Sequence, residues 1–452
     1  MAINAAIVFE VRSGGSDNNG GGFKTGASGT DRTLQTNAQA NITTLSVVNA
    51  TTTKITVSLT DYTVSTTDVG NCYNNTGGTS TAGLYEITAV DTVLNIWTLD
   101  RSIGTAGQTC TGAMGGCFAT PGKACAVATV DGHRIWVDDA TYTMTTATVG
   151  SAGPCKFPTT STNIKLEGYQ TTRGDRTGTM PILNWGAVAS PGSTTYMFTG
   201  TGTLSQSWHN ITADGNSVAN VSGWNLAQAA YFCENCIAQN MTGASQFGFE
   251  MATNTVGPIS CKASNCTTGF DGGMSVIKCR ATACGTGFIG CTSYIACVAD
   301  ACTTYNFRIS AGAIYSNCVA YGNTGGPGWS VSGTTRGVLS ACVAISNSTY
   351  GFDVLTTSFL MSCASYNNTT ARLNGSNIFI DQNPITCTGD PFTSSTDFRP
   401  DNTASEGALL RSVGLGVQGQ TDNRDVGAMQ HADPAATGGM LVHPGMAGGA
   451  RG

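Results

Sequence analysis

The sequence predicts an all-β protein whose main part is a parallel β-solenoid. Three observations predict it: a Cys-x-Ala motif that recurs about every 21 residues, apolar and polar residues that alternate within each copy, and many Gly, Thr and Asn residues with no helical stretch. Alternation with a period of two is typical of a strand with one buried face. A short repeat that cannot bury a core alone is typical of coils stacked into a rod.

Two columns of small residues mark the copies of the repeat. The leading cysteines are 25, 18, 18, 21, 24 and 21 residues apart and are Cys236, Cys261, Cys279, Cys297, Cys318, Cys342 and Cys363. A second column follows five residues later at Cys266, Cys284, Cys302, Asn323, Asn347 and Asn368. Bulky residues close many copies, at Phe270, Phe288, Phe307, Trp329 and Phe352. Because stacked strands lie about 4.8 Å apart, we expect thiols and amides to form ladders along the solenoid.

The cysteines are predicted to be structural and free. Cys233 and Cys236 form a C-x-x-C pair, but no second pair follows it, and the four histidines lie outside the repeat. The start of the chain has no secretory signal pattern, and a reducing compartment keeps thiols unpaired. Disulfides between neighbouring coils are the alternative, because the stacking distance is compatible with one.

Composition argues against several classes of protein. Only 11% of the residues are charged, 40% are hydrophobic and the formal net charge is −6, which argues against a disordered chain. The 21 Lys and Arg residues are outnumbered by 27 Asp and Glu residues, so we expect no nucleic-acid partner. The sequence contains no run of eighteen apolar residues, and we expect no membrane insertion.

The chain divides into four predicted regions. Residues 1–35 hold an N-terminal strand and a Gly-rich loop, and residues 119–430 hold the solenoid. Between them, the alternating segments within residues 36–118 predict a small antiparallel β-domain that serves as an anchoring or contact module, or is a structural elaboration only. Residues 431–452, rich in Gly and Ala, predict a flexible C-terminal tail.

Sequence motifs at both ends of the solenoid resemble those of the pectate-lyase-like superfamily. Pro121-Gly122-Lys123-Ala124 is similar to the short helical turn of its first coil, and Ala140-Thr141-Tyr142 to the corner that follows the next strand. Asp425-Val426-Gly427-Ala428 is similar to the motif that ends such solenoids. The resemblance covers roughly residues 119–430 and implies a right-handed parallel β-helix.

The N-terminal segment Val8 to Phe23 is similar to the openings of tailed-phage β-helix proteins. This resemblance implies a virion component of the head-decoration, fibre or tailspike type. It also implies a homotrimer that contacts other virion proteins of the capsid or tail, at the virion surface after synthesis in the host cytoplasm. The glycines of the segment do not predict a phosphate loop, because no Gly-Lys-Ser/Thr follows them.

Few carboxylates are available for catalysis. A glycosidase needs two carboxyl groups about 5–9.5 Å apart, and Asp214, Glu234, Glu250 and Asp271 can meet only across neighbouring coils. The last three lie two residues before, fourteen after and ten after their leading cysteines, so we expect them to face different sides. Most of the aromatic residues are expected in core positions, which leaves no evident sugar-stacking stripe on the surface.

The sequence therefore favours a non-enzymatic structural role, as a head-decoration (cement) protein or a fibre. It predicts no catalytic residues, no metal site and no cofactor. The alternative is a tailspike that binds or depolymerises host-surface polysaccharide, as a glycosidase or a lyase. A calcium-dependent lyase also requires clustered Asp residues and a basic residue, of which the repeat offers few.

Overall fold

The computed structural model of the chain describes most of the first 410 residues. The described residues are 3–47, 53–144, 154–157, 163–176, 178–186, 188–200, 205–226, 231–252, 255–310, 312–331, 337–354, 358–374, 380–395, 398–401 and 406–410. The predicted terminal motif at 425–428 and the predicted tail at 431–452 lie outside them.

The described residues of the N-terminal part form eight strands and one helix. They are β1 (Ile7–Val11), β2 (Gly22–Lys24), β3 (Ala40–Val47), β4 (Lys54–Val57), β5 (Cys72–Gly78), β6 (Gly83–Asp91), β7 (Ile96–Leu99), β8 (Thr109–Met114) and α1 (Pro121–Val127), with a 3-10 turn at Thr66–Asp68. Helix α1 covers the predicted Pro-Gly-Lys-Ala turn, and the Thr120 hydroxyl caps it by accepting from Lys123 N at 3.2 Å.

The remaining strands are short, most of them three to five residues long. They are β9 (Arg134–Val137), β10 (Thr141–Thr143), β11 (Cys155–Lys156), β12 (Ile164–Gly168), β13 (Ile182–Asn184), β14 (Thr195–Thr199), β15 (Gln206–His209), β16 (Thr212–Asp214), β17 (Val221–Leu226), β18 (Tyr231–Glu234), β19 (Ile237–Gln239), β20 (Phe247–Met251), β21 (Val256–Ile259), β22 (Lys262–Ser264), β23 (Thr268–Gly272), β24 (Ser275–Ile277), β25 (Arg280–Thr282), β26 (Thr286–Ile289), β27 (Ser293–Ile295), β28 (Val298–Asp300), β29 (Tyr305–Ile309), β30 (Ile314–Ser316), β31 (Val319–Tyr321), β32 (Trp329–Val331), β33 (Val338–Ser340), β34 (Val343–Ile345), β35 (Tyr350–Asp353), β36 (Phe359–Met361), β37 (Ala364–Tyr366), β38 (Ala371–Asn374), β39 (Ile380–Gln382) and β40 (Ile385–Thr386). A second helix, α2 (Gly407–Leu410), follows them.

Strands β9 to β40 form a parallel β-helix, which confirms the predicted fold class. Every third strand belongs to the same sheet, so each coil contributes one strand to each of three parallel sheets. The first sheet runs β2-β1-β9-β12 and onward to β39, the second runs from β10 to β40, and the third from β11 to β38. The repeat predicts one strand and a turn for each copy, whereas the structure has three strands for each coil.

A single left-handed residue forms each of two tight corners in the repeated coils. The residue before each leading cysteine has φ between 50° and 54°: Asn235, Ser260, Lys278, Ala296, Asn317, Ala341 and Ser362. The residue before each member of the second column has φ between 51° and 60°: Asn265, Ala283, Ala301, Gly322, Ser346 and Asn367. The three-residue strand of the second sheet lies between these corners, which explains the five-residue offset of the two columns.

The core of the solenoid is filled by alternate residues of the strands. In the three-residue strands of the first sheet the central residue is buried, as at Val276, Tyr294, Tyr315, Leu339 and Leu360. The residues on either side of it are at least partly exposed, apart from Ser340. This arrangement is the period-two pattern that the repeat predicts, in strands only long enough for one inward side chain.

Strands β3 to β8 form a closed antiparallel barrel that lies between β2 and α1 in the chain. It has a core of its own, centred on Trp97, whose indole Nε1 donates to the Asp68 carboxylate at 3.0 Å. Strand β1 nevertheless belongs to the solenoid, because it pairs in parallel with β9. The barrel is therefore an insertion after the first strands of the rod.

A segment after β40 folds back onto the outer face of the second sheet. Phe392 and Phe398 are buried there, with ring centroids 5.6 Å apart, in a cluster with Val319 and Val343. The Arg280 guanidinium lies 5.1 Å from the Phe398 ring centroid. We call residues 387–410 the strap, of which 387–395, 398–401 and 406–410 are described.

Candidate functional site

The leading cysteines form a continuous thiol column on one side of the core. All seven are at most 1% exposed, and each lies at the corner between the first and second sheets. Their thiols donate to carbonyl oxygens of the preceding coil, for example from Cys297 to Val276 O at 3.3 Å and from Cys363 to Leu339 O at 3.4 Å. Backbone amides donate in the other direction, as from Cys261 N to Cys279 Sγ at 3.4 Å. The column thus links coils by hydrogen bonds.

The thiols of this column are unpaired. All 18 cysteines are free and buried. Burial raises the pKa of Cys297, Cys318 and Cys342 well above the usual value of a thiol. Because the thiolate is the reactive form, these three residues are suited to packing rather than to redox chemistry. At Cys236 and Cys363, burial is outweighed by hydrogen bonds from neighbouring thiols, which lower the pKa. Within the described residues no group of three or more His, Cys, Asp or Glu side chains is arranged to hold a metal ion.

The second column changes from thiols to amides along the rod. Cys266, Cys284 and Cys302 are at most 3% exposed. In the amide part, Asn323 N donates to Asn347 Oδ1 at 3.2 Å, and Asn347 Nδ2 donates to Asn368 Oδ1 at 2.8 Å. The structure therefore brings each predicted ladder residue next to its counterpart in the neighbouring coil.

The third sheet contributes an aromatic stack to the core. Its members are Phe198, Trp224, Phe249, Phe270, Phe288, Phe307, Trp329 and Phe352. From Phe198 to Phe307, successive centroids lie 4.8–4.9 Å apart with ring planes within 9° of parallel. The bulky residues that close the repeats are thus the later members of one stack, which begins three coils before them.

The outer surface of the third sheet carries acidic and aromatic side chains. The residue directly after each stacked aromatic ring faces outward. These outward residues form a column in which neighbouring strands pair Glu250 with Asp271, Asp271 with Ile289, and Ile289 with Arg308. A second outward column runs through Phe247, Thr268, Thr286 and Tyr305, whose two aromatic members are half-buried, and Tyr350 is half-buried at the start of β35. We call the outward residues Phe247, Glu250, Asp271, Tyr305, Arg308 and Tyr350 the acidic-aromatic face.

One expectation about this surface is wrong. Glu250 and Asp271 do not face different sides; they are register partners on adjacent strands. Counting from the leading cysteine misplaces them because the loop between β19 and β20 is longer than its counterpart in the next coil. Counting from the aromatic stack finds them, since each directly follows a stacked phenylalanine. Phe247, Tyr305 and Tyr350 are outward exceptions to the mostly core-like placement of the aromatic residues.

Glu250 and Asp271 have distinct environments. Adjacent strands place their backbones about 4.8 Å apart. The Tyr196 hydroxyl donates to Glu250 Oε2. Burial and the neighbouring Glu250 carboxylate raise the pKa of Asp271, and Arg308 opposes this increase. A carboxyl group with a raised pKa beside a hydrogen-bonded carboxylate is an arrangement that can divide acid and base roles.

Glu234 lies on a different sheet, at the end of β18. Arg176 donates to its Oε2 at 3.1 Å and also to Glu167, and His209 Nδ1 lies 3.1 Å from the same Oε2. Burial, followed by the charge of Arg176, lowers the pKa of His209. These residues border a cleft of about 350 Å³ that extends to Ser260. The charges pair with one another, so the cluster acts as a clamp between the 169–176 loop and the first sheet.

Asp214, the fourth carboxylate considered, is separate from both groups. It ends β16 of the second sheet, where Gln239 Nε2 donates to Oδ2 at 2.9 Å and Asn240 Nδ2 donates to Oδ1 at 3.0 Å. Its oxygens are therefore occupied by side chains of the next coil. Only Glu250 and Asp271, of the four carboxylates, are brought together.

Comparison with known proteins gives matches by structure only. No family profile and no curated protein sequence matches the chain. Pectate lyase Pel9A aligns at 14% identity over 70% of this chain and 92% of its own, with a TM-score of 0.35. The ORF18 protein of Geobacillus virus E2 aligns at 14% identity over 56% of this chain, with a TM-score of 0.34, and the chain spans 54% of that protein's length.

A third solved structure, the tailspike protein gp49 of Pseudomonas phage LKA1, aligns at 15% identity over 82% of this chain and 66% of its own, with a TM-score of 0.16.

Neither helix of the described residues has the length and apolar character needed to cross a bilayer. By its own strand topology, the chain is a parallel β-helix protein.

Proposed function

We propose that the chain is a non-enzymatic structural component of a tailed-phage virion, a β-helical head-decoration (cement) or fibre protein displayed on the particle surface. The observation that carries the proposal is that side-chain columns connect successive coils along the rod. Thiols, amides and stacked aromatic rings each link a coil to the next, in addition to the backbone hydrogen bonds of three sheets.

Such an interior suits a part that is exposed on a particle. A protease cleaves a segment that is extended and detached from the rest of the fold. Because each coil packs against the coils before and after it, we expect the solenoid to resist proteolysis. The free, buried thiols agree with synthesis in a reducing host cytoplasm. The similarity of the Val8 to Phe23 segment to tailed-phage β-helix proteins supports a place in the virion.

Purified particles provide the test. Phage particles that encode the chain are banded by density, and the chain is quantified in them by mass spectrometry against a nonstructural protein of the same lysate as control. We expect the chain to remain with the particles while the control is lost, and immunogold labelling to locate it on the head or the tail. A chain that is lost together with the control overturns the virion role.

The acidic-aromatic face favours a second candidate function, a tailspike that binds or depolymerises host-surface polysaccharide. Asp271, with its raised pKa, can donate a proton to the glycosidic oxygen, while Glu250 acts as base or nucleophile. The backbone spacing of about 4.8 Å is compatible with the 5–5.5 Å carboxyl separation of retaining glycosidases. Phe247 and Tyr305 offer outward rings on the same surface.

The full chain incubated with capsule or lipopolysaccharide of the host tests this candidate. We expect release of reducing ends, at least a hundredfold loss of it in Glu250→Gln and in Asp271→Asn, and little change in Asp353→Asn, which alters a carboxylate on the same column three coils beyond Ile289. If the unaltered chain neither binds the polysaccharide nor releases reducing ends, or if both carboxylate variants keep the activity, the second candidate is wrong.

A further inference from the structure

The two carboxylates of the acidic-aromatic face do not receive the same hydrogen bonds. The Tyr196 hydroxyl donates to Glu250 Oε2. Within the part of the chain that the structure describes, the Asp271 carboxylate accepts no hydrogen bond. The pair is therefore asymmetric, although its two members are register partners on adjacent strands.

Tyr196 reaches Glu250 from two strands away. It lies on β14, where its register partner is Ser222 of β17, and β17 in turn pairs with β20, the strand of Glu250. Two strand spacings amount to roughly 9.6 Å, so the two long side chains extend towards each other across the outer surface of β17. The half-buried Tyr196 ring thus fixes the direction in which the Glu250 carboxylate points.

The surroundings of Asp271 stabilise a negative charge less well. Its register partner in the next coil is the apolar Ile289, and Arg308 follows one strand further, roughly 9.6 Å from Asp271. Asp271 Oδ1 also lies against the backbone of Gly290, because a Cβ added at Gly290 would be only 2.9 Å from it. A negative charge is therefore better stabilised on Glu250, which has a hydrogen-bond donor, than on Asp271.

The other outward residues of this column do not explain the asymmetry. Asn225 of β17, the register partner of Glu250 on the side away from Asp271, is neutral. Arg308 lies one strand nearer to Asp271 than to Glu250, so its charge favours ionisation of Asp271. Of these polar groups, the Tyr196 hydroxyl is the one that favours a charge on Glu250.

We propose that Tyr196 is a positioning residue, which holds Glu250 ionised so that a proton taken up by the pair resides on Asp271. Two neighbouring carboxyl groups titrate as a pair, and the group with the hydrogen-bond donor keeps the charge. The catalytic consequence rests on the second candidate function, in which Asp271 donates the proton and Glu250 acts as base or nucleophile. In this role Tyr196 acts through Glu250 and not on the reacting atoms.

Carbon-13 NMR of the full chain tests the proposal. The chain contains six glutamates, so labelling of their carboxyl carbons gives six signals, and Glu250→Gln identifies that of Glu250. In Tyr196→Phe, which keeps the ring, we expect the titration midpoint of this signal to rise by on the order of one pH unit relative to the parent chain. The other five signals show whether the variant keeps its fold.

Tyr321→Phe is the matched control. It removes a hydroxyl that donates to another carboxylate, that of Asp390 at 3.2 Å, on the second sheet. We expect it to leave the midpoint of the Glu250 signal unchanged. An unchanged midpoint in Tyr196→Phe, or an equal rise in Tyr321→Phe, overturns the proposal.

The titration requires no activity, so it separates this proposal from the second candidate function. A parent chain that neither binds nor cleaves the polysaccharide refutes the tailspike candidate, and the NMR midpoint still decides the role of Tyr196. In an active chain, Tyr196→Phe is expected to move the acidic limb of the pH–rate profile to higher pH, because the base loses its donor. An acidic limb that stays in place overturns the proposal.

Discussion

Asn347 and Asn368 lie one above the other in adjacent coils, and two hydrogen bonds join them. Asn347 Nδ2 and Asn347 N both donate to Asn368 Oδ1, at 2.8 and 3.1 Å. Asn347 Oδ1 in turn accepts from Asn323 N and from Asn306 Nδ2, both at 3.2 Å. One buried amide therefore satisfies polar groups of the coils on either side of it.

Replacing Asn347 by Ala is expected to lower the free energy of unfolding by about 2–4 kcal/mol. The substitution leaves the buried Asn323 N without its acceptor and Asn306 Nδ2 with Tyr321 O as its one remaining acceptor, and each lost partner costs about 1–3 kcal/mol. Denaturant unfolding followed by circular dichroism measures the change. Asn41→Ala, at an exposed position of the barrel, is the control and should have an effect below about 0.5 kcal/mol. Equal effects of the two variants would contradict the amide ladder.

Replacing Cys284 by Asp tests the thiol part of the same column. Cys284 is fully buried between Cys266 and Cys302, so the variant places an unpaired charge inside the stack. We expect a loss of several kcal/mol and a correspondingly lower melting temperature. Thr304→Asp introduces the same charge at an exposed position of the next coil and should leave melting almost unchanged. Unchanged melting of the Cys284 variant would mean that the column is not buried.

The repeat was enough to predict the solenoid. Small buried side chains must recur at each coil, so the Cys and Asn columns are visible as sequence spacing. The number of strands in a coil was not visible, because corner residues such as Lys278, Ala283 and Ala296 adopt left-handed conformations that are normally marked by Gly or Asn. At these positions the stacking of the coils outweighs a local cost of roughly 1–2 kcal/mol per residue.

The pairing of Glu250 with Asp271 depends on the length of the loop before the third sheet. This length cannot be predicted from the spacing of the leading cysteines. The coil that begins at Cys236 has 25 residues and the next has 18, and much of the difference lies before the third sheet. Outward residues are therefore in register with the aromatic stack and not with the thiol column.

The stability of the solenoid is expected to decrease as the pH falls from 7.5 to 5.5. Burial lowers the pKa of His209 and of His133 in the folded chain, so the unfolded chain binds more protons as the pH passes through about 6.5. Each histidine can contribute a slope of up to about 1.4 kcal/mol per pH unit. Denaturant unfolding at several pH values measures the slope.

His209→Gln is expected to reduce this pH slope, and the double variant with His133→Gln to reduce it further. Both substitutions remove a group that must lose its proton on folding. A slope of opposite sign in the parent chain, or an unchanged slope in the double variant, would contradict the burial of the two imidazoles.

Phe398→Ala is expected to detach the strap while the solenoid stays folded. The Phe398 ring is fully buried, 5.3 Å from the ring of Tyr321 and 5.6 Å from that of Phe392, and such truncations cost about 3–5 kcal/mol. The strap packs in a hydrophobic cluster separate from the main core, so the loss should fall on local opening. We expect faster hydrogen exchange and new protease cleavage within residues 387–401, with protection of β22 to β34 retained. Phe247→Ala is the control, because it removes a half-buried outward ring, and it should leave the strap protected. If Phe398→Ala instead causes a cooperative loss of protection throughout the rod, the strap and the solenoid form a single folding unit.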